Sequence, residues 1–136
     1  MYVLDTSAWL TFIEDEDGAD IVQDILDRAD AGETEVLVSF MSFMEVYYIS
    51  RQERDDQEAK ERINLMAHLP IQRVDSNESQ GILAAQLKAE YRLSVADCWI
   101  AALAIERQAL LVHKDPEFEQ VEKLLNVLKL PYKKQT

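Results

Sequence analysis

An α/β fold, built as three layers with a parallel sheet between helices on both faces, is what this 136-residue sequence predicts. Short β-rich apolar runs alternate with longer segments whose apolar residues recur at helical spacing. Every connection between successive runs is too long for a hairpin, so neighbouring strands are expected to be parallel. With 48% hydrophobic residues the chain has enough apolar side chains for an ordered core, and its length suits one domain over residues 1–136.

The elements follow in order. Met1 to Leu4 reads as a strand entering Asp5-Thr6-Ser7, after which Ala8, Trp9, Leu10, Phe12 and Ile13 have helical spacing. The acidic stretch Glu14 to Asp17 and Gly18 interrupt that helix. Ile21, Val22, Ile25, Leu26 and Ala29 begin a second, which Gly32 stops near Ala31. Val36 to Val38 is the second strand. From Ser39 to Ser50 apolar residues fall on nearly every side of a helix, which predicts that this helix is largely buried. Charge dominates Arg51 to Arg62, read as a solvated helical hairpin tip leading into Ile63, Leu65, Met66 and Leu69, with Pro70 as terminator. Ile71 to Val74 is the third strand, and a helix runs from about Glu78 to Arg92. Ser94 opens an Ala-rich helix to Arg107, Ala109 to Val112 is a strand, and Asp115-Pro116 starts a helix through about Lys123. Val127 to Tyr132 is assigned as an edge strand, ahead of a C-terminal tail at 131–136.

Composition removes several function classes. Cys98 is the sole cysteine and His68 and His113 are the only histidines, too few for a Cys/His zinc site. The three glycines exclude a GxGxxG fingerprint or a glycine-rich phosphate cradle. The longest apolar run, Trp99 to Ile105, is far short of the roughly 20 residues that span a bilayer, and the N-terminus lacks a signal-peptide pattern. A cytoplasmic protein without membrane association is therefore expected. A net charge of −12 argues against a protein that holds nucleic acid on a broad basic face.

Four acids stand out. In a parallel α/β sheet, strand C-termini and the helix starts that follow them share one edge, where ligands bind at the topological switch point. Asp5 follows the first strand, Asp97 opens the Ala-rich helix, and Asp115 follows the last confident strand. Glu45 lies among Phe43, Met44, Val46, Tyr47, Tyr48 and Ile49, where an ionised side chain needs a partner. Each also has a structural reading. Asp5 and Asp115 suit helix N-caps, Ser94 and Asp97 fit a capping box, and Glu45 has solvent or Arg51 and Arg54 within reach. Their coincidence is the argument: four carboxylates at one edge repel one another unless a cation intervenes, and oxygen ligands select Mg²⁺ or Mn²⁺.

Leu4-Asp5-Thr6-Ser7-Ala8-Trp9, Ser42-Phe43-Met44-Glu45-Val46, the Ser94 to Ala102 block and Lys114-Asp115-Pro116-Glu117-Phe118 resemble the four acid motifs of PIN domains. In length and order they most resemble VapC-type toxins of bacterial and archaeal toxin–antitoxin pairs. The resemblance runs from residue 3 to about 122, and the Ser-x-x-Asp opening of the Ala-rich helix is its most specific piece. It implies a Mg²⁺- or Mn²⁺-dependent endoribonuclease in which Asp5, Glu45, Asp97 and Asp115 hold the metal or its waters, with Asp97 a candidate general base. It also implies an RNA substrate, a homodimer and a VapB-like antitoxin. Thr6 and Ser7 match the hydroxyl positions after the first acid, with local capping as the alternative.

This chain departs from the pattern at His113, two residues before the fourth acid, where relatives commonly carry Thr or Ser. A phosphate contact or the plain end of a strand are its two readings. The acidity leaves RNA affinity to bound cations and local basic residues such as Arg51, Arg54, Lys88 or Lys114. Met41, Phe43, Met44, Tyr47 and Tyr48 are read as core or dimer packing, and Cys98 as core. The alternatives are a PIN-fold nuclease outside toxin–antitoxin systems, a non-catalytic PIN-like binding module, and a receiver-type phosphoacceptor. The last would need an acidic neighbour to Asp5, which is lacking, and would leave Asp75 as its acceptor.

Overall fold

The computed structural model describes residues 1–133; the predicted tail at 131–136 thus lies partly outside the described residues. Strands β1 (Tyr2–Leu4), β2 (Val36–Ser39), β3 (Gln72–Val74), β4 (Leu110–His113) and β5 (Val127–Lys129) form one sheet in the order β3-β2-β1-β4-β5, parallel throughout. The chain leaves β1 towards β2 and β3, then returns to β4 on the other side of β1. The switch point therefore falls between β1 and β4.

Strand alternation builds the two cores. Val3, Leu37 and Leu111 face one side, where α5 (Glu78–Glu90) and α6 (Val95–Arg107) cover them with Ala84, Leu87, Ile100, Leu103 and their neighbours. Leu4, Val36, Val38 and Val112 face the other, packed by Trp9 of α1 (Thr6–Ile13), Ile25 and Leu26 of α2 (Ala19–Asp30), Val46 of α3 (Phe40–Glu53) and Met66 of α4 (Asp56–Ala67). Central strands buried on both faces read as unbroken apolar runs, which is why β1, β2 and β4 are visible in the sequence. No helix among the described residues is long and apolar enough to cross a membrane.

Three expectations need correction. The helix over Ser39 to Ser50 is not largely buried: Ser42, Val46 and Ser50 form its buried stripe, while Met44 and Tyr48 are 60% and 41% exposed. Its apolar residues on every side reflect a face that this chain does not cover, so Met44 and Tyr48 are not core. The segment from Pro116 is a 3₁₀ helix, Pro116–Val121, rather than a longer α-helix. Proline sets its first turn and Asp115 caps it, but Phe118 and Val121 are buried at a spacing of three residues, the 3₁₀ repeat.

The charged hairpin is not solvated throughout. Arg62 is 6% exposed; its Nη1 donates to Glu14 at 3.2 Å and to Ser50 Oγ at 3.1 Å, and its Nε donates to Glu58 at 3.3 Å. One guanidinium thus ties α4 to α3 and to the end of α1. Replacing it with Met is expected to cost about 1–3 kcal/mol, since it strands a buried hydroxyl and two partly exposed carboxylates. A urea melt reads this directly, and an unchanged midpoint would show the ties to be dispensable.

Candidate metal centre

All four predicted acids meet at the switch point. Asp5, Thr6, Ser7, Leu10, Glu45, Ile49, Ser94, Asp97 and Asp115 line one cavity of about 290 Å³, and among the described residues none lining it is a cation. Asp5 caps α1: its Oδ1 accepts the Ala8 N–H at 2.7 Å, and Ser7 Oγ lies 2.7 Å from both carboxylate oxygens. The amide of Asp5 donates to the Val112 carbonyl at 3.1 Å, so the first acid is anchored to β4. Glu45 accepts from Thr6 Oγ1 at 2.7 Å, and that hydroxyl lies 3.1 Å from Ser42 Oγ. Thr6, rather than Arg51 or Arg54, is therefore its partner; Arg51 lies beside Asp56 at 3.5 Å.

Asp97 is the third residue of α6, where Ser94 Oγ accepts its backbone N–H at 3.1 Å. Asp115 caps the 3₁₀ helix by accepting the Glu117 N–H at 3.0 Å. The capping and clustering readings hold together, because a cap engages one oxygen of Asp5 and one of Asp115, and at Asp97 the backbone alone. The caps also fix where the carboxylates sit.

Charge crowding follows from this geometry. Burial pushes Asp5 well above the usual carboxylate range against the Ala8 and Ser7 hydrogen bonds, and Asp97 and Asp115 add repulsion. Asp97 is pushed up to about 7, first by burial and then by Asp115 and Glu45. Glu45 is raised by burial, with Thr6 opposing and Asp115 reinforcing. A pocket that holds several carboxylates at this proton affinity, lined wholly by oxygen donors at its polar positions, fits a hard divalent cation.

Oxygens of Asp97, Asp115 and Glu117 lie within 4.8 Å of one another, close enough that these residues could hold one ion between them. Glu117 is an addition to the predicted set. In sequence it is a first-turn acid after a proline, indistinguishable from a charge placed for the helix dipole, although it lies inside the fourth acid block.

The other candidates resolve differently. Ser7 Oγ accepts the Lys114 N–H at 2.8 Å, which ties the first acid's turn to the residue preceding the fourth. His113 is fully buried and ends β4. Burial lowers its proton affinity and its Nδ1 accepts the Asp115 N–H, so the ring is neutral and faces no solvent where a phosphate would bind. Lys114 Nζ donates to the Asp17 carbonyl at 3.0 Å and Lys88 Nζ to the Leu93 carbonyl at 2.9 Å. Cys98 is buried, as expected of a core residue.

A family model described as the PIN domain matches residues 2–124. Solved structures of similar fold include the VapBC2 complex of Rickettsia felis bound to a promoter DNA fragment, with TM-score 0.76 and 16% identity over 96% of this chain and 98% of that one. DNA-bound VapBC of Salmonella typhimurium has TM-score 0.72 and 18% identity, covering 94% of this chain and 96% of that one. Mycobacterium tuberculosis VapC20, described as a Sarcin-Ricin loop cleaving toxin, has TM-score 0.69 and 12% identity, covering 89% and 95%. No curated protein matches the chain in sequence.

Proposed function

This chain belongs to the PIN-domain family, and on that premise we propose that it is a Mg²⁺- or Mn²⁺-dependent endoribonuclease, the toxin of a toxin–antitoxin pair acting in the cytoplasm. The observation that carries the reading is the convergence of Asp5, Glu45, Asp97 and Asp115 on one cation-free pocket at the switch point. Asp5, Glu45, Asp97 and Asp115 are the proposed ligands of the metal or its waters, and Glu117 is added through its closeness to Asp97 and Asp115. When bound, the divalent ion supplies positive charge and Lewis acidity for hydrolysis of a phosphodiester.

The protein's own residues do the rest. Ser7 and the Ala8 amide hold the Asp5 carboxylate, Thr6 holds Glu45, and the turn after β4 holds Asp115. Asp97, placed at the pocket by the first turn of α6, is the proposed general base toward water. A second cavity of about 370 Å³ shares Ser7, Leu10 and Asp115 with the acid pocket and adds Lys114, Tyr132, Lys133 and Glu16, the last paired with Lys133 at 3.1 Å. It offers a polymeric substrate a path past the acids. Reading the 136 residues as one domain, we assign the uncovered α3 face with Met44 and Tyr48 to protein contacts, either a second copy or a VapB-like antitoxin. The similarity to VapBC complexes supports the antitoxin.

The test is incubation of the purified protein with total cellular RNA in Mg²⁺ or Mn²⁺ and in EDTA, with new RNA ends mapped by sequencing. Discrete ends that require the metal are expected. Absence of new ends, or the same ends in EDTA, would refute the assignment.

A further inference from the structure

His113 is outside the proposed ligand set, yet its ring is engaged at the site's edge. Its Nδ1 accepts the Asp115 backbone N–H at 3.1 Å. The proton of the neutral imidazole therefore resides on Nε2, which is buried and meets no acceptor among the described residues. Packing alone does not account for this ring, because Leu or Phe would fill the space without leaving a desolvated N–H. The ring packs against Phe118, with centroids 5.1 Å apart, and lies 6.4 Å from Tyr132. Its backbone carbonyl accepts the Leu130 amide at 2.8 Å. Ring and backbone are thus both fixed.

The two amides that follow β4 are each taken by a side chain: Lys114 N–H by Ser7 Oγ and Asp115 N–H by His113 Nδ1. Asp115 then accepts the Glu117 N–H, so three successive contacts define the turn that brings its carboxylate to Asp97 and Glu117. We propose that His113 is a positioning residue for the metal centre, its Nδ1 fixing the Asp115 turn in ligand geometry. The proposal rests on the reading of Asp115 as a ligand. An acceptor, rather than an imidazole as such, is what the turn requires. Asn meets that requirement, since its Oδ1 is as many bonds from Cα as Nδ1 is in His.

Metal affinity and stability should therefore separate in two variants of the full-length protein. His113→Phe keeps an aromatic ring against Phe118 but has no acceptor, while His113→Asn keeps the acceptor and loses packing. Mn²⁺ affinity, measured by calorimetry or EPR, is expected to fall about tenfold or more in His113→Phe and to stay within about twofold of wild type in His113→Asn, even though the latter melts lower. His113→Leu serves the same comparison if Phe does not fit. Unchanged affinity in the Phe variant, or an equal loss in the Asn variant, would overturn the proposal. Failure of wild type to bind Mn²⁺ would instead refute the metal centre. The contact is then read by hydrogen exchange at the Asp115 amide, expected to be slow in wild type and His113→Asn and fast in His113→Phe. Equal exchange in all three would overturn it.

Discussion

Replacing Asp97 with Asn is expected to reduce RNA cleavage by roughly 10³-fold or more while raising the melting temperature of the metal-free protein. The two effects have one cause. Asp97 is held up to about 7 by burial and by the charges of Asp115, Glu45 and Glu117, so its ionisation is paid for by the fold and recovered when a cation binds. The neutral amide removes the repulsion, and the shift from 3.8 corresponds to at most about 4 kcal/mol. The helix start is unharmed, because Ser94 Oγ accepts the backbone N–H of residue 97, which Asn retains. A residue held only as a cap would give neither effect. Thermal melts in EDTA and cleavage assays in Mn²⁺ decide: full activity would remove Asp97 from the machinery, and lost activity with a lower melting temperature would make its role structural.

How far the sequence reveals this molecule depends on whether neighbours or the chain itself determine each feature. Val3, Leu4, Leu37 and Leu111 sit in strands buried on both faces, and such strands declare themselves as apolar runs at any position in the sheet. The edge strand β3 is harder, since Gln72 and Arg73 are exposed and only Val74 is buried, and Pro70, which ends the preceding helical segment, gives more signal than the strand's own composition. In α3 the inference from apolar residues to burial failed because hydrophobicity alone does not say which face of a helix is covered: Met44 and Tyr48 are exposed.

The site divides along the same line. Asp5, Asp97 and Asp115 follow from topology, because strand ends and helix starts are legible and the parallel fold collects them. Glu45 follows from its cost, a carboxylate inside an apolar helix, but its partner Thr6 lies 39 residues away and no local pattern indicates it. Glu117 and the Nδ1 contact of His113 depend on the dihedral angles of one turn, which composition does not encode. Lys114 looked available for phosphate because sequence shows charge and not direction; its Nζ points to the Asp17 carbonyl.

Acid crowding also predicts how stability changes with pH. The folded-state proton affinities of Asp5, Glu45 and Asp97 are all raised, so the folded protein binds more protons than the unfolded chain across the window between the two values. For Asp97 that window runs from 3.8 to about 7: its stabilising protonated form is fully present below the lower bound and is lost as pH rises through the upper one. Metal-free protein should therefore melt at progressively lower temperature from about pH 5 to about pH 8, with a slope of up to about 1.4 kcal/mol per pH unit for each titrating group. His113, whose proton affinity burial lowers from 6.5, acts in the opposite sense below that value and makes the fall shallower there than above it. Asp56 and Glu119, lowered by their hydrogen bonds to Tyr47 and Tyr132, do the same only at lower pH, and being exposed they contribute little. At the proposed metal centre Mn²⁺ would compete with protons for the same oxygens, so saturating Mn²⁺ should stabilise most at high pH and flatten or invert the profile. Scanning melts across this range in EDTA and in Mn²⁺ measure both limbs. Asp97→Asn should make the metal-free limb shallower and leave the contributions of Asp5 and Glu45, whereas a wild-type profile that rises with pH across this range in EDTA would contradict the crowding of these carboxylates in one pocket.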